Sequence, residues 1–188
     1  NCKSTEYKKK FRSYNGVNYV VCKECGCHYQ DPIIKINYSD SFWQDTVDPD
    51  GIKRKFTEER DDRIKNWYGT SINLINKNRN IKVLDVGCGL GFFLSALNNS
   101  IEKYGIEESQ FAVSYIKDNF KDINIRKGNI DDVNSLNIEF DVIMFYHVIE
   151  HLKFPNKSIE ILSKKLKNKG LLIIGTPNVG SFFSKLIN

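Results

Sequence analysis

Residues 81–91 read IKVLDVGCGLG, and residues 92–97 continue as FFLSAL. The opening run is apolar apart from Lys82 and Asp85 and reads as a short strand that ends in glycine. Gly87, Gly89 and Gly91 then end it, and the segment from Gly91 to Leu97 reads as a helix. The alternation continues downstream. Residues 103–106 (KYGI) read as a strand and 109–120 as a helix, followed by a third strand at 123–125. The run FDVIMF at 140–145 has the composition of a strand buried on both faces. Residues 156–166 carry Ile159, Leu162 and Leu166 on one helical face, and LLII at 171–174 follows Gly170 as a fifth strand. Strands alternating with helices predict βαβ units, a mostly parallel sheet and an α/β sandwich.

In such sheets ligands bind outside the carboxyl ends of the strands, where the glycine turn lies. Gly87 and Gly89 let the backbone turn tightly and approach a ligand without a Cβ between them. The helix start offers free N–H groups. A dinucleotide fingerprint, G-x-G-x-x-G, needs glycine at position 92, where this chain has Phe92. Asp85 at the strand end suits a cationic ligand and repels a pyrophosphate. Both features argue against a nicotinamide or flavin dinucleotide. Glu107, at the end of the second strand, can accept hydrogen bonds from both hydroxyls of a ribose.

Upstream, Phe56, Ile64, Trp67, Ile72 and Ile75 recur at helical spacing among charges, predicting a helix over residues 54–78. Thr57 is the expected N-cap, and Gly69 is a point where the helix can break. Residues 31–53 mix turn formers with Tyr38, Phe42 and Trp43 and read as an irregular linker. The expected organisation is a Cys-rich unit at 1–32, a linker and helix at 33–80, and a ligand-binding core at 81–188.

The 188 residues carry 28 Lys and Arg against 23 Asp and Glu, a formal charge of +5. That balance permits a nucleic-acid partner without arguing for one. No stretch approaches the roughly 20 apolar residues of a membrane helix, and the basic, polar start is not a secretory signal. Four of the five Cys lie within the first 27 residues. Without an export signal, a reducing, cytoplasmic setting and metal binding are expected rather than disulfides. Residues 17–22 are β-rich, and Cys22-Lys-Glu-Cys25-Gly26 follows directly. Two thiolates on one tight turn fit a tetrahedral ion, the alternative being a metal-free hairpin with free thiols.

His147-Val-Ile-Glu150-His151 matches H-x-x-E-H, the inverted zinc-peptidase pattern. That reading requires an intact helix, yet a buried strand runs straight into His147. His147, at the strand end, is the functional candidate. His151 is expected to pack or cap, and Glu150 to anchor the local backbone.

Taken in order, VLDVGCGLGFF, YGIEES, KGNIDD, FDVIMFYHVIEHL and GLLIIGTPN resemble class I S-adenosylmethionine-dependent methyltransferases over about residues 54–180. HVIEHL and TPN are similar to a subgroup that includes small-molecule and sugar methyltransferases. The resemblance implies a Rossmann-like three-layer sandwich with a small N-terminal Cys-rich β-hairpin. It implies that Asp85, Gly87, Cys88 and Gly89 hold the methionine part of the cofactor, with Cys88 a small loop residue and no nucleophile. Glu107 would bind ribose. Asn129 and Ile130 would lie beside the adenine, where the family more often has Asp in place of Asn129. Tyr146 and His147 would line the methyl-transfer cleft, His147 as base or as the group that orients the acceptor. CKECGCHYQDP resembles the zinc ribbon of that subgroup, implying Cys2, Cys22 and Cys25 as ligands of a structural zinc whose fourth ligand is missing from this chain unless Cys27 or His28 fills in. The family's sheet continues beyond TPN, so the last strands are expected to be missing. The implied activity is methyl transfer from S-adenosylmethionine to a small molecule such as a sugar or glycan precursor. An RNA-binding or RNA-modifying module and a NAD-binding oxidoreductase are the alternatives.

Overall fold

A computed structural model describes residues 2, 4, 6–12, 18–31, 42–43 and 55–178. The chain divides after residues 36 and 176 into two compact units. The turn expected at 14–17 and most of the expected linker at 31–53 lie outside the described residues.

The N-terminal unit contains a three-stranded antiparallel sheet: β1 (Tyr7–Arg12), β2 (Asn18–Cys22) and β3 (His28–Gln30). The strand β1 adds to the hairpin that the sequence predicts. Its Lys-rich letters, YKKKFR, carry no apolar alternation that would mark a strand. A tight turn at residues 23–25 joins β2 to β3, with the Cys22 N–H donating to the Cys27 carbonyl at 2.9 Å.

In the larger unit, five parallel strands stand in the order β6-β5-β4-β7-β8. They are β4 (Lys82–Val86), β5 (Glu102–Glu107), β6 (Ile123–Lys127), β7 (Phe140–Tyr146) and β8 (Leu166–Gly175). The order reverses direction at β4, so the carboxyl ends of β4 and β7 flank the crevice where such sheets bind ligands. Alternate residues of β4 face opposite layers. Val83 packs with Ile72, Phe93, Leu94 and Ile116. Leu84 and Val86 pack on the other face with Val133, Ile161 and Leu162. This is the expected Rossmann-like three-layer α/β sandwich. Among the described residues no helix is long and apolar enough to cross a membrane.

The upstream helix departs from expectation. A single 3-10 turn (Phe56–Glu58) precedes α1 (Arg60–Arg63), a π-helical turn (Ile64–Tyr68) and α2 (Gly69–Ile75). Thr57 lies inside the 3-10 turn, and α1 begins after Glu59 with no side-chain cap. Gly69 is helical, with φ −52°, and the irregularity falls just before it. The π turn takes up extra backbone, so the buried stripe shifts by one residue. Trp67 is thereby 38% exposed instead of buried. Tyr68 packs against the core in its place.

The remaining helices are α3 (Phe92–Ser95), α4 (Gln110–Asn119) and α5 (Pro155–Ser163). Ser109 caps α4 by accepting from the Ala112 N–H at 3.2 Å. Pro155 starts α5, where its missing N–H removes no helical bond.

Candidate functional site

The loop after β4 is shaped by backbone geometry. Gly87, Gly89 and Gly91 have φ of +72°, +54° and +75°, a region that L side chains enter at a cost. The N–H groups of Gly87 and Cys88 both donate to the Ile106 carbonyl, at 2.8 and 3.2 Å, which ties the loop to β5. Space is as restrictive as torsion. A Cβ on Gly87 would stand 2.6 Å from Val148, and one on Gly89 would stand 2.8 Å from the Trp43 ring.

Glu107 ends β5 beneath this loop and is 6% exposed. Its two carboxylate oxygens accept from the N–H groups of Gly89 and Ser109, each at 2.9 Å. Burial raises its pKa even so, with those N–H groups opposing the shift. Asp85 is 5% exposed. Burial first, and the nearby Glu107 second, push its carboxyl up to about 8. Near neutral pH Asp85 therefore holds its proton unless a cation comes beside it. Cys88 is buried, and burial raises its thiol well above the ordinary range, so it is no nucleophile.

Asn129 is exposed and follows β6. Its side-chain oxygen accepts from the Asp131 N–H at 2.8 Å, and Asp132 returns a bond from the Asn129 N–H at 2.8 Å. That capping box starts a 3-10 turn at Ile130–Ser135. The Asn129 amide NH2 is left as the donor it can offer an adenine edge. Ile130 packs partly beneath the sheet, beside Val133.

At the end of β7 the chain enters a second tight turn. The His147 N–H donates to the Gly175 carbonyl at 2.8 Å, and His147 adopts φ +54°. Its Nδ1 lies 3.2 Å from Glu150 Oε1. Burial works against the ionised Glu150 carboxyl, but the bond with His147 brings its pKa below the ordinary value. Glu150 is thus the imidazole's partner, in addition to the local backbone bond that the sequence reading expects of it. Residues Ile149–His151 form a 3-10 turn, so His147 and His151 do not share one face of an α-helix and the zinc-peptidase context is absent. His151, expected to pack or cap, is exposed, in the last position of that turn.

An aromatic wall completes this side. Trp67 lies 5.0 Å from His147 between ring centroids, Tyr146 lies 4.8 Å from His147, and Tyr68 lies 5.4 Å from Tyr146. Burial foremost, with Asp85 second, raises the Tyr68 phenol above its ordinary value. The Arg63 guanidinium stands 4.6 Å over the Trp67 ring and bonds Glu59 at 2.8 Å. The sequence reading did not single out Trp43, Arg63 or Tyr68. Adjacent aromatics at 67 and 68 were the available signal, but a regular helix would have turned them apart.

In the N-terminal unit the sulfur atoms of Cys2, Cys22 and Cys25 all lie within 4.8 Å of one another. Backbone N–H groups, that of Cys25 foremost, bring the Cys22 thiol down to about 7 against opposing burial. Cys27 turns its thiol toward the His28 carbonyl at 3.6 Å. Among the described residues this is the one cluster of three or more such groups with metal-binding spacing.

A family model described as a methyltransferase domain matches residues 77–187, more than half of the chain. An enzyme named ubiquinone biosynthesis O-methyltransferase from Rickettsia bellii is 28% identical over 124 residues, covering 62% of this chain and 48% of that one. A probable S-adenosylmethionine-dependent methyltransferase of Mycolicibacterium smegmatis is 25% identical over 97 residues, covering 51% of this chain and 38% of that one. The matched stretch is therefore less than half the length of these curated relatives. Among solved structures, the plantazolicin methyltransferase BpumL, in complex with a pentazolic desmethylPZN analogue and SAH, aligns at a TM-score of 0.57 with 24% identity. That alignment covers 74% of this chain and 58% of the other. An S-adenosylmethionine-dependent methyltransferase from Clostridium acetobutylicum aligns at 0.54 with 22% identity, covering 64% and 55%. At these identities the two structures show a shared fold.

Proposed function

This chain belongs to the methyltransferase-domain family, and from that premise we propose that it transfers a methyl group from S-adenosylmethionine to a small-molecule hydroxyl, with sugars and glycan precursors the acceptors to try first. The observation that carries the reading is the family match over a glycine loop whose N–H groups, buried Glu107 and buried Asp85 suit this cofactor. Glu107 retains lone pairs on both oxygens for ribose hydroxyls. Burial raises the Asp85 carboxyl to about 8, and a nearby α-ammonium or sulfonium would favour its ionised form. Gly87, Cys88 and Gly89 would bring backbone close to the methionine part. Asn129 and Ile130 would border the adenine, and Tyr146 would line the cleft.

When bound, S-adenosylmethionine supplies a methyl group already activated by the sulfonium charge, so the protein's main task is to hold the acceptor in line with it. With Nδ1 engaged by Glu150, His147 Nε2 is the nitrogen free to take the acceptor hydroxyl's proton. The rings of Trp67 and Tyr146 flank the His147 imidazole, and a sugar or an aromatic ring could pack against them.

Calorimetric titration with S-adenosylhomocysteine and NAD, followed by incubation with labelled donor and separate sugar and phenol panels, tests the reading. Binding of S-adenosylhomocysteine and label on a sugar panel is expected. Binding of NAD alone would overturn the reading, and label only on phenols would correct the acceptor.

Residues 1–32 are proposed as a separate structural module in which Cys2, Cys22 and Cys25 hold three corners of a zinc site. A tetrahedral zinc with sulfur ligands at about 2.3 Å fits sulfurs this close together. Elemental analysis should find zinc bound to the purified protein and lost in Cys22→Ser. Zinc absent from the wild type would remove this part of the proposal.

A further inference from the structure

We infer that Gly175 is a positioning residue of the methyl-transfer site: the side chain it lacks leaves the place that the Tyr146 ring occupies, and its carbonyl holds the turn that carries His147. The inference rests on the reading of His147 as the base and adds to it a residue from the neighbouring strand.

Three observations carry it. First, glycine at this position answers to space and not to torsion. Gly175 ends β8 outside the left-handed region that Gly87, Gly89 and Gly91 adopt, so its backbone suits any L residue. A Cβ there would overlap Cδ2 and Cε2 of the Tyr146 ring and stand 2.6 Å from its Cζ. A side chain at 175 and the ring where it lies therefore exclude each other. Second, Tyr146 and Gly175 are paired neighbours in the parallel β7–β8 register, so they share one face of the sheet. It is the face of Val142, Met144 and Ile173. The Tyr146 ring crosses onto β8 there and meets Tyr68 and His147 edge to face, at centroid distances of 5.4 and 4.8 Å. Third, the Gly175 carbonyl accepts from the His147 N–H at 2.8 Å.

Both halves of this contact bear on the imidazole. The carbonyl fixes where the positive-φ turn at His147 leaves β7, and the Tyr146 ring stands against the imidazole. With these two fixed, Nδ1 lies 3.2 Å from Glu150 Oε1, which leaves Nε2 as the nitrogen to take a proton from the acceptor. A larger residue at 175 pushes the ring toward the imidazole or off the sheet, and either movement disturbs the bond between Nδ1 and Glu150.

The chain has three histidines, so NMR of protein carrying 15N-labelled histidine resolves their ring nitrogens, and His147→Gln assigns those of His147. At about pH 8, where an imidazole is ordinarily neutral, the wild type should show Nδ1 protonated and Nε2 bare. Gly175→Ala should move the two nitrogens toward a mixture of tautomers while the His28 signals stay in place. Its melting temperature should also fall, although alanine at a strand position of ordinary φ is otherwise the stabilising choice. In a Tyr146→Ala background the sign should reverse, with Gly175→Ala neutral or stabilising, because the ring it collides with is gone. That reversal separates the collision from any cost of altering β8 itself. In the wild type, cross-relaxation should connect the Gly175 α-protons with the Tyr146 ring protons. This measurement needs no substitution, and its failure alone overturns the inference even where Gly175→Ala folds poorly. An unchanged His147 tautomer in Gly175→Ala, or the same loss of melting temperature in both backgrounds, overturns it as well. None of these measurements needs a ligand. Full turnover in His147→Ala, or a wild type that does not bind S-adenosylhomocysteine, would instead overturn the reading beneath it and leave these signals as they are.

Discussion

After β4 the chain passes through φ values of +72°, +54° and +75° at Gly87, Gly89 and Gly91, and after β7 it passes through +54° at His147. The two turns visit the same left-handed region with opposite residue choices. In the first, glycine removes both the torsional cost and the collisions a Cβ would make with Val148 and Trp43. The turn offers backbone N–H groups to Glu107, and side chains would obstruct it. In the second, a side chain is kept although the conformation disfavours it. His147 meets Trp67, Tyr146 and Glu150 there. Strain tolerated for a side chain points to use of that side chain, and strain avoided points to use of the backbone.

The sharpest way to break this contrast is to exchange the residue choices. His147→Ala and His147→Gly should each lower turnover about a hundredfold or more if His147 is the base, with S-adenosylhomocysteine affinity little changed. The Gly variant should be the more stable of the two by about 1 kcal/mol, because it alone relaxes the positive φ. At the other turn glycine is already in place, and alanine is again the less stable choice. Gly87→Ala should cost about 2 kcal/mol in chemical unfolding, combining the left-handed penalty with the approach to Val148. Equal stabilities of Ala and Gly at position 147 would mean that the strain there is not real.

Asp85 sharpens the contrast by a smaller effect. Its carboxyl titrates near 8 in the free protein because of burial and Glu107. A cation bound beside it favours the ionised form, so binding below about pH 8 should release a proton, and affinity should climb with pH until it levels above 8. Asp85→Asn should flatten that profile and lower cofactor affinity about tenfold at pH 8. Calorimetry in two buffers of different ionisation enthalpy measures the proton directly. The stability sign is opposite. An acid whose pKa is raised by folding binds its proton more tightly in the folded state, so this group costs stability as pH rises from about 4 through 8. The melting temperature of Asp85→Asn should therefore gain on the wild type toward alkaline pH, and a constant difference from pH 5 to 9 would contradict the assignment.

The two turns also differ in how far they could be read from the chain. The glycines, Asp85 and Glu107 sit at strand ends, and their meeting follows once β4 and β5 are known to be parallel neighbours. The partners of His147 were less accessible. Trp67 comes from a helix some 80 residues earlier, and it faces the turn only because a π-helical turn at Ile64–Tyr68 displaces the regular spacing. Glu150 keeps the local backbone bond expected of it and gains a second partner, since a 3-10 turn brings the carboxylate back to the ring.

From residue 81 onward the sequence by itself determined the alternation of strands and helices, the parallel sheet, the glycine loop and the acids that flank it. These depend on local periodicity and on backbone torsions that few residues tolerate, and both are written in neighbouring letters. Tertiary structure alone decided that Trp43 lies on Gly89, that Trp67 and Tyr68 extend the wall beside His147, and that Asp85 is buried deeply enough to hold a proton near neutrality. Those are contacts between segments far apart in the chain, made when burial of apolar surface brings the segments together, and no local pattern encodes which side chains then touch.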